Sequence, residues 1–314
     1  MRKSFNKIFN ILLVLVLLLS ICGCTEKTDN NEDKKDDKDN EQETYIETQI
    51  CPYCKKCNNS ECTHCEEKCT CEPVQVSVES FKILADTAYE TMAYKYTTNK
   101  EGPTIAIVGG IHGDELAGWN AGLQLVEKIK TEVGVRGTIL LIPQANILAD
   151  NAKHRYQVSG YDFSDLNRSF PLDRYSTAKE ETIKISTAIK DAVEAVDPDY
   201  IIDLHESYHS WVNMEVGETR TLGDTLIANN NSRFMRQLIR NYNENYKLED
   251  ENDFRQESAN QKGSFNYYFT NTYPDKTVFT VETNRNEDRN ALDTRVRQQL
   301  NVLEALFDLA WDRK

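Results

Sequence analysis

Basic residues are scarce in this chain of 314: 37 Lys and Arg stand against 51 Asp and Glu, a net charge of −14. A nucleic-acid binder needs a basic face to meet phosphates, so that class is excluded and no nucleic-acid partner is expected. Long apolar runs are equally rare. Only one segment is apolar enough to enter a bilayer, and it lies at the start. With a mean hydropathy of −0.62, a polytopic membrane protein is excluded too. What is present, 39% hydrophobic residues and three Trp, suits a globular core.

The initial run has the grammar of an address. Arg2, Lys3 and Lys7 precede a stretch from Ile8 to Ile21 that is broken only by Asn10 and Ser20. It is short for a spanning helix, which needs about 20 residues, and fits a secretory signal. The sequence Ile21-Cys22-Gly23-Cys24 that follows resembles the bacterial lipoprotein signal. That resemblance implies a signal peptide over 1–23, lipidation of Cys24, and a protein held to the outer side of the membrane by its lipid.

Apolar side chains are nearly absent from Thr25 to Ile50, which holds ten acids and four Lys. Such a stretch buries too little surface to offset chain entropy, so a disordered, solvated spacer is expected. Seven of the nine cysteines then fall between Cys51 and Cys71. Three readings remain open for this segment, 51–73: disulfides, favoured outside the cytoplasm; a second metal held by thiolates; or a reactive or intermolecular thiol, since seven is odd.

Val74 to Lys314 has ordinary composition and is long enough for one α/β domain. Strands are expected at 104–108, 137–143, 200–204 and 277–282, and amphipathic helices at 115–131, 177–196 and 291–311. This alternation predicts a single mixed, mostly parallel sheet with helices on both faces, where ligands sit beyond the carboxyl ends of the strands.

Chemistry-bearing residues collect at those ends. His112 and Glu115 follow the first strand in Gly109-Gly110-Ile111-His112-Gly113-Asp114-Glu115, and His205 ends Ile201-Ile202-Asp203-Leu204-His205. Two imidazoles and one carboxylate with an open fourth position are the pattern of a catalytic zinc. Asp203 is a candidate to accept the outer N–H of a ligating histidine. His64, His154 and His209 lack such a setting.

In order along the chain, GGIHGDE, the Arg155-Tyr156 and Asp165-Leu166-Asn167-Arg168 elements, IDLH and Thr280-Val281-Glu282 resemble the zinc carboxypeptidase superfamily. The likeness is closer to its succinylglutamate desuccinylase/aspartoacylase branch. The resemblance implies zinc on His112, Glu115 and His205, with Glu282 as general base. It implies that Arg155 polarises the scissile carbonyl and that Asn167 and Arg168 grip a substrate carboxylate. The implied activity is hydrolysis of the amide of a small N-acyl amino acid or short peptide by metal-activated water. A cell-wall peptide carboxypeptidase, a non-catalytic ligand- or metal-binding lipoprotein, and an esterase are the alternatives. Three features depart from or add to the pattern. Gln144-Ala145-Asn146 replaces the usual Asn-Pro, Glu206 offers a rival base beside His205, and Tyr267, Tyr268 and Tyr273 compete as a substrate-contacting phenol.

Overall fold

A computed structural model describes residues 41–46, 74–131, 134–156, 164–208, 222–258, 261–285 and 291–311. Cys24, the signal segment and the Cys51–Cys71 cluster lie outside the described residues, as do His64 and His209.

Nine strands form one mixed sheet in the order β1-β2-β3-β5-β4-β6-β9-β7-β8. The strands are β1 (Glu41–Ile46), β2 (Gln75–Ile83), β3 (Thr91–Thr98), β4 (Thr104–Gly109), β5 (Thr138–Ile142), β6 (Tyr200–Ser207), β7 (Thr225–Ile227), β8 (Arg255–Glu257) and β9 (Thr277–Asn284). The centre, β5-β4-β6-β9, is parallel. On one side β5, β3, β2 and β1 pair antiparallel. On the other, β7 runs antiparallel to β9 and carries β8 parallel to itself. The expected mixed sheet is present, its parallel pairing running through the central four strands and recurring between β7 and β8. Glu41–Ile46, read from sequence as part of the solvated spacer, instead pairs with Gln75–Ser80. An edge strand needs a backbone partner on one side only, and Thr44, Tyr45 and Ile46 have high strand preference.

Among the described residues, six helices cover the sheet: α1 (Leu116–Lys128), α2 (Ile147–Ala152), α3 (Glu180–Glu194), α4 (Ser232–Asn245), α5 (Phe265–Thr272) and α6 (Leu292–Ala310). Strand alternation sorts the core into two layers. Ile105, Ile107, Ile139, Leu141, Ile202, Leu204, Phe279 and Val281 pack against α1, α4 and α6. Ala106, Val108, Leu140, Ile142, Ile201 and Val278 pack against α3 and α5. Among the described residues, no helix is long and apolar enough to cross a membrane.

Small residues bring α1 down onto the strands. A Cβ on Gly118 would come 2.5 Å from the Leu204 carbonyl oxygen, and one on Gly122 would come 2.8 Å from the Pro143 Cα. That close approach sets the start of α1, and Glu115 just before it, directly over the ends of β4 and β6. The preceding loop is fixed in the same way. Gly110 takes a φ of +71°, which favours glycine, and Gly113 lies against the Ala149 carbonyl of α2. Ala145 and Asn146 donate their backbone N–H groups to the Gly109 and Gly110 carbonyls. The Gln144-Ala145-Asn146 departure thus buttresses the loop that carries His112.

Candidate active site

The three residues expected to share an ion meet at the carboxyl ends of β4 and β6. His112 Nδ1 is 2.8 Å from Glu115 Oε1, and His205 Nδ1 is 2.6 Å from Glu115 Oε2. The imidazole centroids stand 4.8 Å apart, and all three side chains are buried. Among the described residues they form the one group of His, Cys, Asp or Glu whose ligand atoms converge closely enough to hold a metal, within 4.8 Å of one another.

Carboxylates back both outer ring nitrogens. His112 Nε2 lies 2.9 Å from Asp165 Oδ1, and His205 Nε2 lies 3.2 Å from Asp203 Oδ2. The Asp165 acceptor fixes the His112 tautomer and aims its Nδ1 inward, as metal-ligating histidines require, while Asp203 stands at ion-pair distance behind His205. Asp203 is where the sequence put it. Asp165 had no assigned role beforehand, because its 53-residue separation from His112 hides the pairing. Burial alone would raise the Glu115 carboxyl. The flanking imidazoles outweigh it and hold that group well below the usual carboxylate range. The same contest at Asp165, with His112 and Arg155 nearby, also ends in a lowered value. Two buried imidazoles and one ionised carboxylate, each held from behind, are a donor set that fits a divalent ion such as zinc.

Glu282 sits on β9 in register with His205. Its Oε2 is buried and has no hydrogen-bond partner. Desolvation, with Glu115 and Asp203 nearby, pushes its carboxyl up to about 8 against the pull of His205. Glu206 does not compete. One residue along β6, it points to the opposite layer, accepts from Arg295 Nε of α6 at 2.5 Å and from the Ala117 backbone N–H at 2.8 Å. With both carboxylate oxygens so occupied, Glu206 is not free to act as the rival base the sequence suggested.

Arg155 donates through Nη1 to Glu115 Oε1 at 2.8 Å, and its Nη2 is 3.6 Å from Asp165 Oδ2. Asn167 spends its amide oxygen on the Phe265 backbone N–H, 2.9 Å away, and turns Nδ2 toward His205 Nε2 at 3.4 Å. Arg168 donates to the Asn167 carbonyl at 2.6 Å and has no carboxylate partner among the described residues. The three tyrosines weighed as substrate contacts are spent elsewhere. Tyr267 donates to Asp173, and Tyr268 and Tyr273 both donate to Glu194. His112, Glu115, Arg155, Asn167, Arg168, His205 and Glu282 all line one cavity of about 270 Å³. A larger groove, about 910 Å³, runs between α4 and β8 and is lined by four arginines, without a histidine.

Residues 101–282 match the family model of the succinylglutamate desuccinylase/aspartoacylase catalytic domain. The chain belongs to this family. A curated relative, the N-alpha-acetyl-L-2,4-diaminobutyric acid deacetylase of Halomonas elongata, is 34% identical over 105 residues, 33% of this chain and 29% of that protein. Among solved structures, the tripeptide-bound cell shape determinant Csd4 of Helicobacter pylori superposes with a TM-score of 0.54 at 19% identity, covering 67% of this chain and 51% of that one. Carboxypeptidase A of Helicoverpa armigera gives 0.54 at 14% identity, covering 71% and 64%. The chain therefore spans under a third of the curated relative's length and about half of Csd4. These structural likenesses establish a carboxypeptidase-like α/β fold.

Proposed function

We propose that this family member is a zinc-dependent hydrolase that cleaves the amide bond of a small N-acyl amino acid or short peptide. The observation that carries the reading is the buried convergence of His112, Glu115 and His205 beside Glu282, whose Oε2 is buried with no hydrogen-bond partner among the described residues. The deacetylase activity named for the Halomonas relative and the tripeptide bound to Csd4 support the same substrate range.

His112, Glu115 and His205 would hold the ion. Zinc so held supplies Lewis acidity toward the scissile carbonyl and makes water a stronger acid. Glu282 accepts a proton from the attacking water and returns it to the leaving amine, so one carboxyl serves as base and then as acid. Arg155, poised over Glu115, donates to the oxygen on which negative charge develops. Arg168, which pairs with no carboxylate among the described residues, takes the substrate carboxylate and sets its register. Asn167 fixes that turn against α5 and His205.

The test is Glu282→Gln. It keeps the side-chain shape and the ligands, so zinc content measured by atomic absorption stays stoichiometric. Amide hydrolysis drops by about 10²–10⁴-fold, the range for losing a general base. Full activity in a zinc-replete variant would overturn the assignment.

A further inference from the structure

The register of β6 and β9 divides the cavity mouth into two sides. Asp203, His205, Thr280 and Glu282 share one parity, on the layer of α3 and α5, from which Asn167 and Arg168 also approach. Glu206, of the other parity, meets α6. The ladder continues one step past both strands, with the Arg285 backbone N–H donating to the Ser207 carbonyl at 2.8 Å. Tyr208 and Arg285 therefore project with Glu206's parity. Both line the cavity that also holds Arg168 and the His112, Glu115 and His205 group.

Arg285 is already compensated. Its Nη1 donates to the Asp114 carbonyl at 2.8 Å and pairs with Asp114 Oδ2 at 2.9 Å. The guanidinium carbon lies 3.9 Å from the centroid of the Tyr208 ring, which is itself 64% exposed. No described residue takes the donors on Nε and Nη2. A guanidinium with its charge met, donors to spare and an aromatic plane beside it suits an uncharged planar group that offers a carbonyl oxygen. A peptide group is that chemistry.

We propose that Arg285 and Tyr208 form a subsite for the peptide group on the acyl side of the scissile bond. The preferred substrates are then short peptides with a free carboxylate, held by Arg168 at one end and Arg285 at the other. This rests on the hydrolase reading above and narrows it. A cavity of about 270 Å³ limits such peptides to a few residues.

The experiment compares acetyl-X with acetyl-alanyl-X across a panel of C-terminal amino acids X, substrates that differ by one inserted peptide unit. The zinc-loaded wild type favours the longer member by about tenfold in kcat/KM, the worth of one good hydrogen bond. In Arg285→Ala the ratio falls to near one, and the loss appears in KM for the longer substrate. Tyr208→Ala, at an exposed position that folding does not need, moves the ratio the same way. Equal use of both substrates by the wild type, or variants that slow both alike, would overturn the subsite. Calorimetric binding of each pair to zinc-loaded Glu282→Gln reads the same preference without turnover. If the wild type cleaves neither substrate while binding still favours the longer one, the hydrolase reading falls and the subsite stands. If binding shows no preference, the subsite falls.

Discussion

Asp150 shows how a single side chain outside the chemistry registers the cost of building the site. It lies on α2 beneath the His112 loop, 1% exposed, with neither carboxyl oxygen hydrogen-bonded. Burial holds its pKa well above the ordinary 3.8. A folded-state pKa above the unfolded value means that the fold favours the protonated acid. The group's stabilising contribution is full below about pH 4 and is lost as pH rises through the folded pKa. Asp150→Asn should therefore raise Tm at pH 7, by about 2–4 °C for each kcal/mol recovered. The gap from wild type should close as pH falls toward 4. Calorimetric melts at both pH values check this, and a lower Tm for the variant at pH 7 would contradict it. The three candidate ligands were legible in sequence because their residue types are diagnostic and they lie near the carboxyl ends of β4 and β6 or just before α1. Asp165 and Arg285 were not, since an Asp or Arg on its own reads as surface charge until the fold supplies its neighbour. Glu206 was misread for the same reason: adjacency along a chain puts successive strand residues on opposite faces.

The elements that place the ligands depend on missing side chains. Gly113 packs on the Ala149 carbonyl of α2, so that an added Cβ would fall inside that carbonyl's van der Waals envelope. Gly113→Ala forces the His112 loop off α2. Overpacking of this kind costs about 1–3 kcal/mol. Both a lower Tm and weaker zinc retention on dialysis against a chelator should follow. A variant with wild-type Tm and zinc content would show that the loop has slack. The central strands and long helices were readable because continuous apolar runs and helical spacing mark buried elements. All seven expected elements begin and end within three residues of those observed, β6 running three residues beyond its expected end at 204 and β9 two beyond 282. The antiparallel flank is different. In β2, Val76 and Val78 alternate with half-exposed polar residues, and β7 and β8 are three residues each. Strands so short or so polar acquire identity from the neighbour they pair with rather than from their own composition.

For the whole molecule, the site is a junction between distant parts of the chain. His112, Asp165, His205 and Glu282 come from segments spread over 171 positions of sequence, and Arg295 and Gln299 of α6 close it from behind, the latter donating to the His205 carbonyl at 2.9 Å. An ion bound only by the folded state stabilises it by mass action. Stripping the protein with dipicolinate should lower Tm by on the order of 10 °C, and added zinc should restore it. A melt indifferent to chelation would remove the metal from the picture. The two-sided use of β6 constrains the molecule in a further way. His205 belongs to the candidate metal group and its neighbour Glu206 anchors the closing helix, so one residue inserted or deleted within the strand would exchange front for back along its remaining length. Drift in chain length is consequently confined to the connecting loops, while the spacing from Tyr200 to Ser207 is locked by two obligations that point in opposite directions.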